Sequence, residues 1–198
     1  MKRLTLLGLA VSISLSTTAF GTCTSPGVNL LTNCGFPSNV AGWTPEGGGS
    51  ALFVHDPVQG NTLPGAAHVS ADNSVGTSQC FSVLPGNYGF GMHGSNIAGN
   101  SSNVLICTVT VQGFSALGCG AGTAVGAALS HSAGFTNFTA GADWVTMNNT
   151  GTLLPTVQSA LFRIACLAPG ASLADAFFDD LFFGVGLTPV ELLRFSVE

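Results

Sequence analysis

Apolar and polar residues alternate over several short stretches of the chain, and residues rich in glycine, proline, serine and asparagine separate these stretches. Alternation with a period of two is typical of β-strands that have one buried face. The clearest example is residues 103–112 (NVLICTVTVQ), which contain many β-branched side chains. The same pattern predicts further strands at residues 28–31, 50–55, 66–71, 77–84, 88–93, 143–152, 159–167 and 174–184.

Residues 118–134 contain many glycines and alanines with little periodicity, so we predict a long loop or one turn of helix there. The predicted strands begin roughly every 8–15 residues, which is the spacing of a β-sandwich rather than of alternating strands and helices. Long amphipathic helical stretches are hard to find in the chain. The sequence therefore predicts an all-β sandwich.

The two ends of the chain differ from the rest. Residues 1–21 begin with Lys2 and Arg3, continue with an apolar stretch and end in small residues, which is the pattern of an export signal. We therefore predict a signal peptide at 1–21, a β-sandwich domain at 22–186 and a C-terminal tail or linker at 187–198. The protein is expected to be secreted by a bacterium, either to the periplasm or to the outside.

The charge balance limits the partners of the protein. The 198 residues include four basic and nine acidic side chains, with a formal net charge of -5. Without the signal, only Arg163 and Arg194 oppose the acidic side chains. Binding to nucleic acid depends on clustered basic residues, so we expect no such partner. After the signal, no apolar run reaches the roughly 18 residues that a membrane-spanning helix needs.

All six cysteines lie beyond the predicted signal, and an even number in an exported chain predicts three disulfides. Six cysteines allow 15 pairings. We favour the pairs Cys23–Cys34, Cys107–Cys119 and Cys80–Cys166, because the first two close short loops and the third joins two core strands. Zinc is the competing interpretation, but zinc sites usually need cysteine or histidine pairs at shorter spacing than this chain offers.

Several segments occur in a characteristic order along the chain. Residues 29–36 (NLLTNCGF) are followed by Gly42 and Trp43, then by residues 79–88 (QCFSVLPGNY) and by residues 178–183 (FDDLFF). In this order they resemble the opening, the central strand–turn–strand and the closing strand of CenC-like carbohydrate-binding modules. The resemblance implies a jelly-roll β-sandwich of the galactose-binding-like type, which binds a polysaccharide or another glycan without catalysis. Cys34 and Pro37 replace a glycine and a glutamate of the pattern.

Candidate ligand-binding residues follow from the central segment. We predict a groove formed by Tyr88, Asn87, His93 and polar loop groups such as Gln112. Tyr88 has a second interpretation as a buried tyrosine with a satisfied hydroxyl group. Trp43 and Trp144 are expected to pack in the core. A structural or adhesive surface protein with no sugar ligand is the alternative function.

Three acidic residues lie close together in the sequence at Asp175, Asp179 and Asp180. Alternation along a strand would point Asp175 and Asp179 to one side and Asp180 to the other. A buried carboxylate needs a partner, and the resemblance implies a structural calcium ion held by Asp180, and less so by Asp179. The chain has no nucleophile elbow and no metal-binding histidine spacing, so we predict that it is not an enzyme.

Overall fold

The computed structural model describes residues 29–61, 65–96, 104–136, 144–169 and 174–185. The predicted signal at 1–21 and the predicted tail at 187–198 lie outside these residues. The described regular structure consists of β1 (Thr44–Asp56), β2 (Ala66–Ser82), β3 (Gly86–Asn96), β4 (Val104–Phe114), β5 (Ala124–Thr136), β6 (Val145–Leu153), β7 (Ser159–Leu167) and β8 (Ala174–Val185). In this part of the chain, no helix is long and apolar enough to cross a membrane.

Most predicted strands agree with the structure to within a few residues, but three regions differ. The predicted strand at 28–31 is wrong, because the described residues there form a single bridge, from Asn29 to Gly184, and the chain bends from Thr32 onward. The predicted strands at 66–71 and 77–84 belong to the single long strand β2. The predicted loop or helical turn at 118–134 is wrong over its second half, where β5 forms. β5 lies at the end of the strand order and most of its residues are exposed or half-buried. An edge strand of small residues carries a weak hydrophobic signal, which explains the error.

The strands form two packed layers that share β2. In the first layer, residues 74–82 of β2 pair with β7, which continues through β4 to β5. In the second layer, residues 67–71 of β2 pair with β8, which continues through β3 to β6. β1 follows β2 along both layers, and every one of these pairings is antiparallel. The predicted all-β sandwich is confirmed.

Aromatic side chains from both layers fill the core. The rings of Phe81 in the first layer and Phe183 in the second have centroids 5.1 Å apart. Trp43 is buried against Phe162 with centroids 6.0 Å apart, as predicted for a packing residue. The same prediction is wrong for Trp144, which is only half-buried and lies outside the core, immediately before β6. The largest fully buried side chains are Phe36, Phe90, Phe135, Phe162, Phe178, Phe183, Met92, Leu105, Met147, Ile164, Leu181 and Val69. Burying each of these contributes about 1.5–3 kcal/mol, so the phenylalanines supply much of the stability.

The segment before β1 completes the second layer where β2 leaves it. The backbone nitrogen of Leu30 donates to the carbonyl oxygen of Phe183 at 2.8 Å, and that of Leu181 donates to Cys34 at 2.9 Å. The buried amide of Gln79 accepts from the Thr32 nitrogen and donates to the Thr32 carbonyl. These contacts satisfy polar groups at the β8 edge and inside the sandwich, which would otherwise be costly to bury.

The cysteines form disulfides, but two of the favoured pairs are wrong. Cys80 is bonded to Cys119, and Cys107 is bonded to Cys166. Cys34 is also disulfide-bonded, and its predicted partner Cys23 lies outside the described residues. Alternation decides the result: Cys107 and Cys166 face the core as neighbours on β4 and β7, whereas Cys80 faces outward. The predicted bonds Cys107–Cys119 and Cys80–Cys166 would each have to cross a layer.

Candidate functional site

The outer side of the first layer is a mixed surface built by alternation, with polar side chains near its centre and the exposed apolar side chains of Ile106 and Leu167 at one end. The even-numbered residues of β4 and the odd-numbered residues of β7 face outward, and their neighbours face the core. This alternation leaves hydroxyl groups and one ion pair on the outside. We call this surface the first-layer face, and its polar residues are Thr44, Glu46, Ser78, Thr108, Thr110, Gln112, Ser130, Ser132 and Arg163. The hydroxyl oxygens of Thr108 and Ser132 lie 2.8 Å apart and share a hydrogen bond.

Arg163 lies at the centre of the first-layer face and is the one lysine or arginine within the described residues. Its register neighbours are Thr110 on β4 and Ser78 on β2. Its Nε donates to Oε2 of Glu46 on β1. The Arg163 side chain is 50% exposed and that of Glu46 is 25% exposed. The pair therefore presents guanidinium donors and carboxylate acceptors side by side on an otherwise uncharged surface.

The loop between β4 and β5 covers one end of this face. Its Cys119 is bonded to the outward-facing Cys80 of β2. The backbone nitrogen of Cys119 donates to Oγ of Ser159 at 3.0 Å, and that Oγ donates to the Ala116 carbonyl at 2.6 Å. The left-handed backbone at Gly118 and Cys119 turns the loop back over the strands. The disulfide and these hydrogen bonds thus hold the loop as a wall at the end of the face.

The outer side of the second layer carries charge in a different form. His68 Nε2 lies 2.6 Å from Oδ1 of Asp175, and its ring contacts Phe177 with centroids 4.9 Å apart. On the neighbouring strand, His93 Nδ1 lies 3.4 Å from Oδ2 of Asp180. We call this surface the second-layer face. Each histidine faces one carboxylate from β8, so the second-layer face is organised around histidine–aspartate pairs.

The backbone of β8 is irregular at Asp180, which changes where the two adjacent carboxylates point. Asp180 has a positive φ of 47°, and the pairing with β3 shifts between Gly91 and His93. Asp179 is fully buried and its Oδ1 accepts from the Asp180 backbone nitrogen at 2.7 Å. Asp180 Oδ2 accepts from Asn61 Nδ2 at 2.8 Å. The alternation that would place Asp175 and Asp179 on one side of the strand and Asp180 on the other is therefore interrupted at Asp180, where the strand is irregular.

These contacts bear on the predicted calcium ion. Within the described ranges, no three histidine, cysteine, aspartate or glutamate side chains form a group that could hold a metal ion. Calcium ligation usually takes six to eight oxygens. The side chains at this position alone do not form such a set, because Asp180 faces a histidine and an asparagine amide. Calcium at Asp180 and Asp179 stays a prediction.

The predicted ligand-binding residues do not come together. Tyr88 is 5% exposed, its ring stacks on Phe183 at 4.6 Å and its hydroxyl donates to the Leu84 carbonyl at 2.7 Å. Asn87 and His93 point outward on the second-layer face, where Asn87 Oδ1 accepts from Thr152. The burial of Tyr88 agrees with the alternative interpretation of that residue and leaves no ring face for a sugar.

Gln112 belongs to the other side of the sandwich. Its Nε2 donates to the carbonyl oxygens of Gly113 at 2.9 Å and of Val125 at 3.3 Å. The pairing of β4 with β5 shifts at this position, between Val111 and Gly113. Gln112 thus braces an irregular strand pairing at the rim of the first-layer face, far from Asn87 and His93 in the fold.

Arg163 and Glu46 are not among the site residues predicted from the sequence. The alternating residues of β7, which put Phe162 and Ile164 in the core, predict that Arg163 points outward. The register that brings Glu46 to it is set by β2, which separates the two strands. That register depends on long-range pairing, so the sequence carried a signal for the arginine alone.

The backbone resembles several solved carbohydrate-binding modules. A xylan-binding domain of family 22 has a TM-score of 0.61 and 15% identity, and the match covers 82% of this chain and 99% of that one. TmCBM61, solved in complex with β-1,4-galactotriose, has a TM-score of 0.55 and 18% identity over 79% of this chain and 97% of that one. The CBM22-1 xylan-binding domain of Paenibacillus barcinonensis Xyn10C has a TM-score of 0.54 and 15% identity, covering 80% and 94%.

The sequence matches no protein-family model and no curated protein. Similar structures also include part of the α-L-arabinofuranosidase MgGH51, of which the match covers 26% at 19% identity. At these identities the likeness establishes the fold alone, so membership of the CenC-like family stays a prediction. The protein has the β-sandwich fold of carbohydrate-binding modules.

Proposed function

We propose that this protein is a secreted, non-catalytic carbohydrate-binding module that binds a neutral polysaccharide on the first-layer face. The observation that carries the proposal is the exposed Arg163–Glu46 pair at the centre of a hydroxyl-rich surface. The fold shared with carbohydrate-binding modules supports the class of ligand. The disulfides support an oxidising compartment, where such bonds form and persist.

The chemistry of the face matches the hydroxyl groups of a sugar ring. A hydroxyl group donates one hydrogen bond and accepts others, so it can accept from Arg163 while it donates to Glu46. The threonine and serine hydroxyls beside the pair extend this recognition along β4 and β5. The acidic balance of the whole chain disfavours an anionic polysaccharide, which narrows the ligand to a neutral one.

The arrangement of carboxylates supports binding without catalysis. A glycosidase holds two carboxyl groups about 5–9.5 Å apart across its cleft. On the first-layer face Glu46 is the carboxylate in contact with Arg163, and the described aspartates of β8 belong to the second layer. Asp175 and Asp180 each face a histidine there. We therefore propose that the protein recognises a glycan and leaves it intact.

The test is binding to soluble galactan, xylan and β-glucan by calorimetry and affinity electrophoresis. We expect Arg163→Ala to weaken binding by roughly 10- to 100-fold, because a hydrogen bond to a charged group contributes about 1.5–3 kcal/mol. The matched control is His93→Ala, which removes a polar side chain from the opposite face and should leave affinity unchanged. Weakening by His93→Ala, with Arg163→Ala without effect, would move the site to the second-layer face.

A structural or adhesive surface protein is the second candidate. The burial of Trp43 and Tyr88 favours it, because neither ring is available to stack on a sugar. Binding to none of the three polysaccharides would reject the glycan proposal in favour of this candidate.

Calcium is tested separately, by calorimetric titration of the wild type and of Asp180→Asn. We expect heat of binding in the wild type alone, and its absence from both would remove the calcium prediction.

A further inference from the structure

One end of the sandwich carries an open apolar groove that neither outer face uses. Its volume is about 440 Å³, and we call it the end groove. Leu84 and Leu117 on its walls are 78% and 67% exposed. The groove is lined by Leu30, Ser82, Val83, Leu84, Leu117, Val157 and Gln158. None of these side chains is charged, so the groove offers apolar contact to whatever occupies it.

Single exposed leucines need no explanation, but two that flank one cavity mark a docking surface. The backbone around the groove is already paired: the Val83 nitrogen donates to the Gln158 carbonyl at 3.1 Å, and the Val157 nitrogen donates to Leu154 at 3.1 Å. A partner would therefore gain little from backbone hydrogen bonds at these positions. Its affinity would come from burying apolar side chains, which contributes about 25 cal/mol per Å².

The chain leaves β8 beside this groove. Val185, the last residue of β8, is in register with Tyr88 on β3. The Tyr88 hydroxyl donates to the carbonyl of Leu84, a wall residue of the groove. On the other side of β8, the backbone nitrogen of Leu30, which also lines the groove, donates to Phe183. The segments on both sides of the end of β8 therefore contain or contact residues that line the end groove.

We propose that the C-terminal segment, residues 187–198, packs its apolar side chains into the end groove. The segment has the sequence LTPVELLRFSVE, in which six apolar residues (Leu187, Val190, Leu192, Leu193, Phe195 and Val197) alternate irregularly with polar ones. Twelve residues can span about 40 Å when extended, so the segment easily reaches across the groove from Val185. Glu191, Arg194 and Glu198 can keep their charges in water while the apolar side chains are buried.

The short connection from Val185 to residues 187–198 favours this segment over other occupants of the end groove. A segment tethered one or two residues from its site acts at an effective concentration in the millimolar range. A second copy of the protein would have to compete at its much lower solution concentration. The same apolar chemistry therefore selects the segment of the same chain, and the dimer becomes an outcome that the experiment distinguishes.

The test is amide hydrogen exchange on the full chain, followed by mass spectrometry of peptides from 187–198. In the wild type we expect protected amides in this segment, and exchange about tenfold faster in the variants Leu117→Asn and Phe195→Asn. Leu117 is largely exposed, so its substitution leaves the fold intact. The control is Leu52→Asn, an exposed position on β1 near the other end of the sandwich, which should leave exchange in 187–198 unchanged.

Exchange and sedimentation can each overturn the proposal. In the exchange measurement, the contradicting result is rapid exchange of 187–198 in the wild type, or protection that Leu117→Asn leaves unaltered. In sedimentation, the contradicting result is a dimer that becomes a monomer in Leu117→Asn, with 187–198 unprotected, which would assign the groove to a second copy. Glycan binding enters neither measurement, so the result is independent of the proposed function.

Discussion

On the first-layer face an exposed arginine lies at the centre beside a half-buried glutamate, whereas on the second-layer face the carboxylates are half-buried or buried and lie next to histidines. Arg163 and Glu46 meet across β2 with hydroxyl groups on both sides. Asp175 instead contacts His68 beside the ring of Phe177. With a single arginine in the described part of the chain, the structure satisfies the carboxylates of β8 by imidazole and amide groups. The arginine is thereby left at the surface, where a ligand can reach it.

The two layers also differ in how closely their strands are packed from outside. Phe182 lies over Gly91 on the second layer and is itself buried. On the first layer, Gly134 of β5 faces open surface near Val104. At these two positions the second layer is therefore covered by its own side chain, whereas the first layer is open. Three measurements test the differences between the two layers.

The largest expected effect concerns the two described disulfides. Replacing both cysteines of either bond by alanine should lower the free energy of unfolding by about 4 kcal/mol, because the bonds close loops of 59 and 39 residues. Loss of the buried Cys107–Cys166 bond should cost more, because it also leaves a cavity. Denaturant unfolding measures both changes.

The same variants separate stability from binding. Loss of Cys80–Cys119 releases the loop that forms the wall of the first-layer face, so we expect weaker polysaccharide binding under conditions where the variant is folded. Loss of Cys107–Cys166 should leave the affinity of the folded protein unchanged. Equal affinity in both variants would show that the wall takes no part in recognition.

A smaller effect is expected from adding one methyl group to each layer. A Cβ atom at Gly91 would overlap the Met147 carbonyl oxygen and lie 2.8 Å from Cε1 of Phe182. Gly91→Ala should therefore destabilise the protein by about 1–3 kcal/mol. At Gly134 the nearest atom is Val104 Cγ1 at 3.8 Å, so Gly134→Ala is the matched control and should change stability little. Similar melting temperatures for the two variants would contradict the difference in packing.

The smallest effect is a loss of stability at alkaline pH that originates in the second layer. Burial raises the pKa of the Tyr88 hydroxyl above its usual value of 10.0. Below pH 10 both the folded and the unfolded chain keep this proton. As the pH rises above 10, the unfolded chain releases it first, so the free energy of unfolding falls.

Tyr88 is the one tyrosine in the chain, so the absorbance of tyrosinate follows this group alone. We expect the folded protein to titrate at higher pH than the denatured protein. In Tyr88→Phe the contribution of this group to the alkaline loss of stability should disappear. The substitution also removes one hydrogen bond, which lowers the free energy of unfolding by about 1 kcal/mol. Coincident titration of the folded and denatured protein would show that Tyr88 is accessible to water.

The strands with strong alternation were predictable because local pattern and tertiary position agree. Residues 103–112 predict β4, and residues 159–167 predict β7. The strand β5 was not predicted, because an edge strand of glycine and alanine buries little apolar surface. The irregular backbone at Asp180 was not predicted either, because its positive φ depends on the shifted pairing with β3 and not on a local pattern.

The order of apolar and polar residues is sufficient to predict that this chain forms a β-sandwich, that Arg163 faces outward on its strand and that Trp43 packs inside. These features depend on which residues are buried away from water, and the local alternation of apolar and polar residues indicates this directly. The tertiary structure alone decided that Cys80 meets Cys119, that Glu46 lies against Arg163 and that Tyr88 and Gln112 lie on different sides of the molecule. Those relations depend on the register between strands far apart in sequence, which is set when the two layers close around their common core.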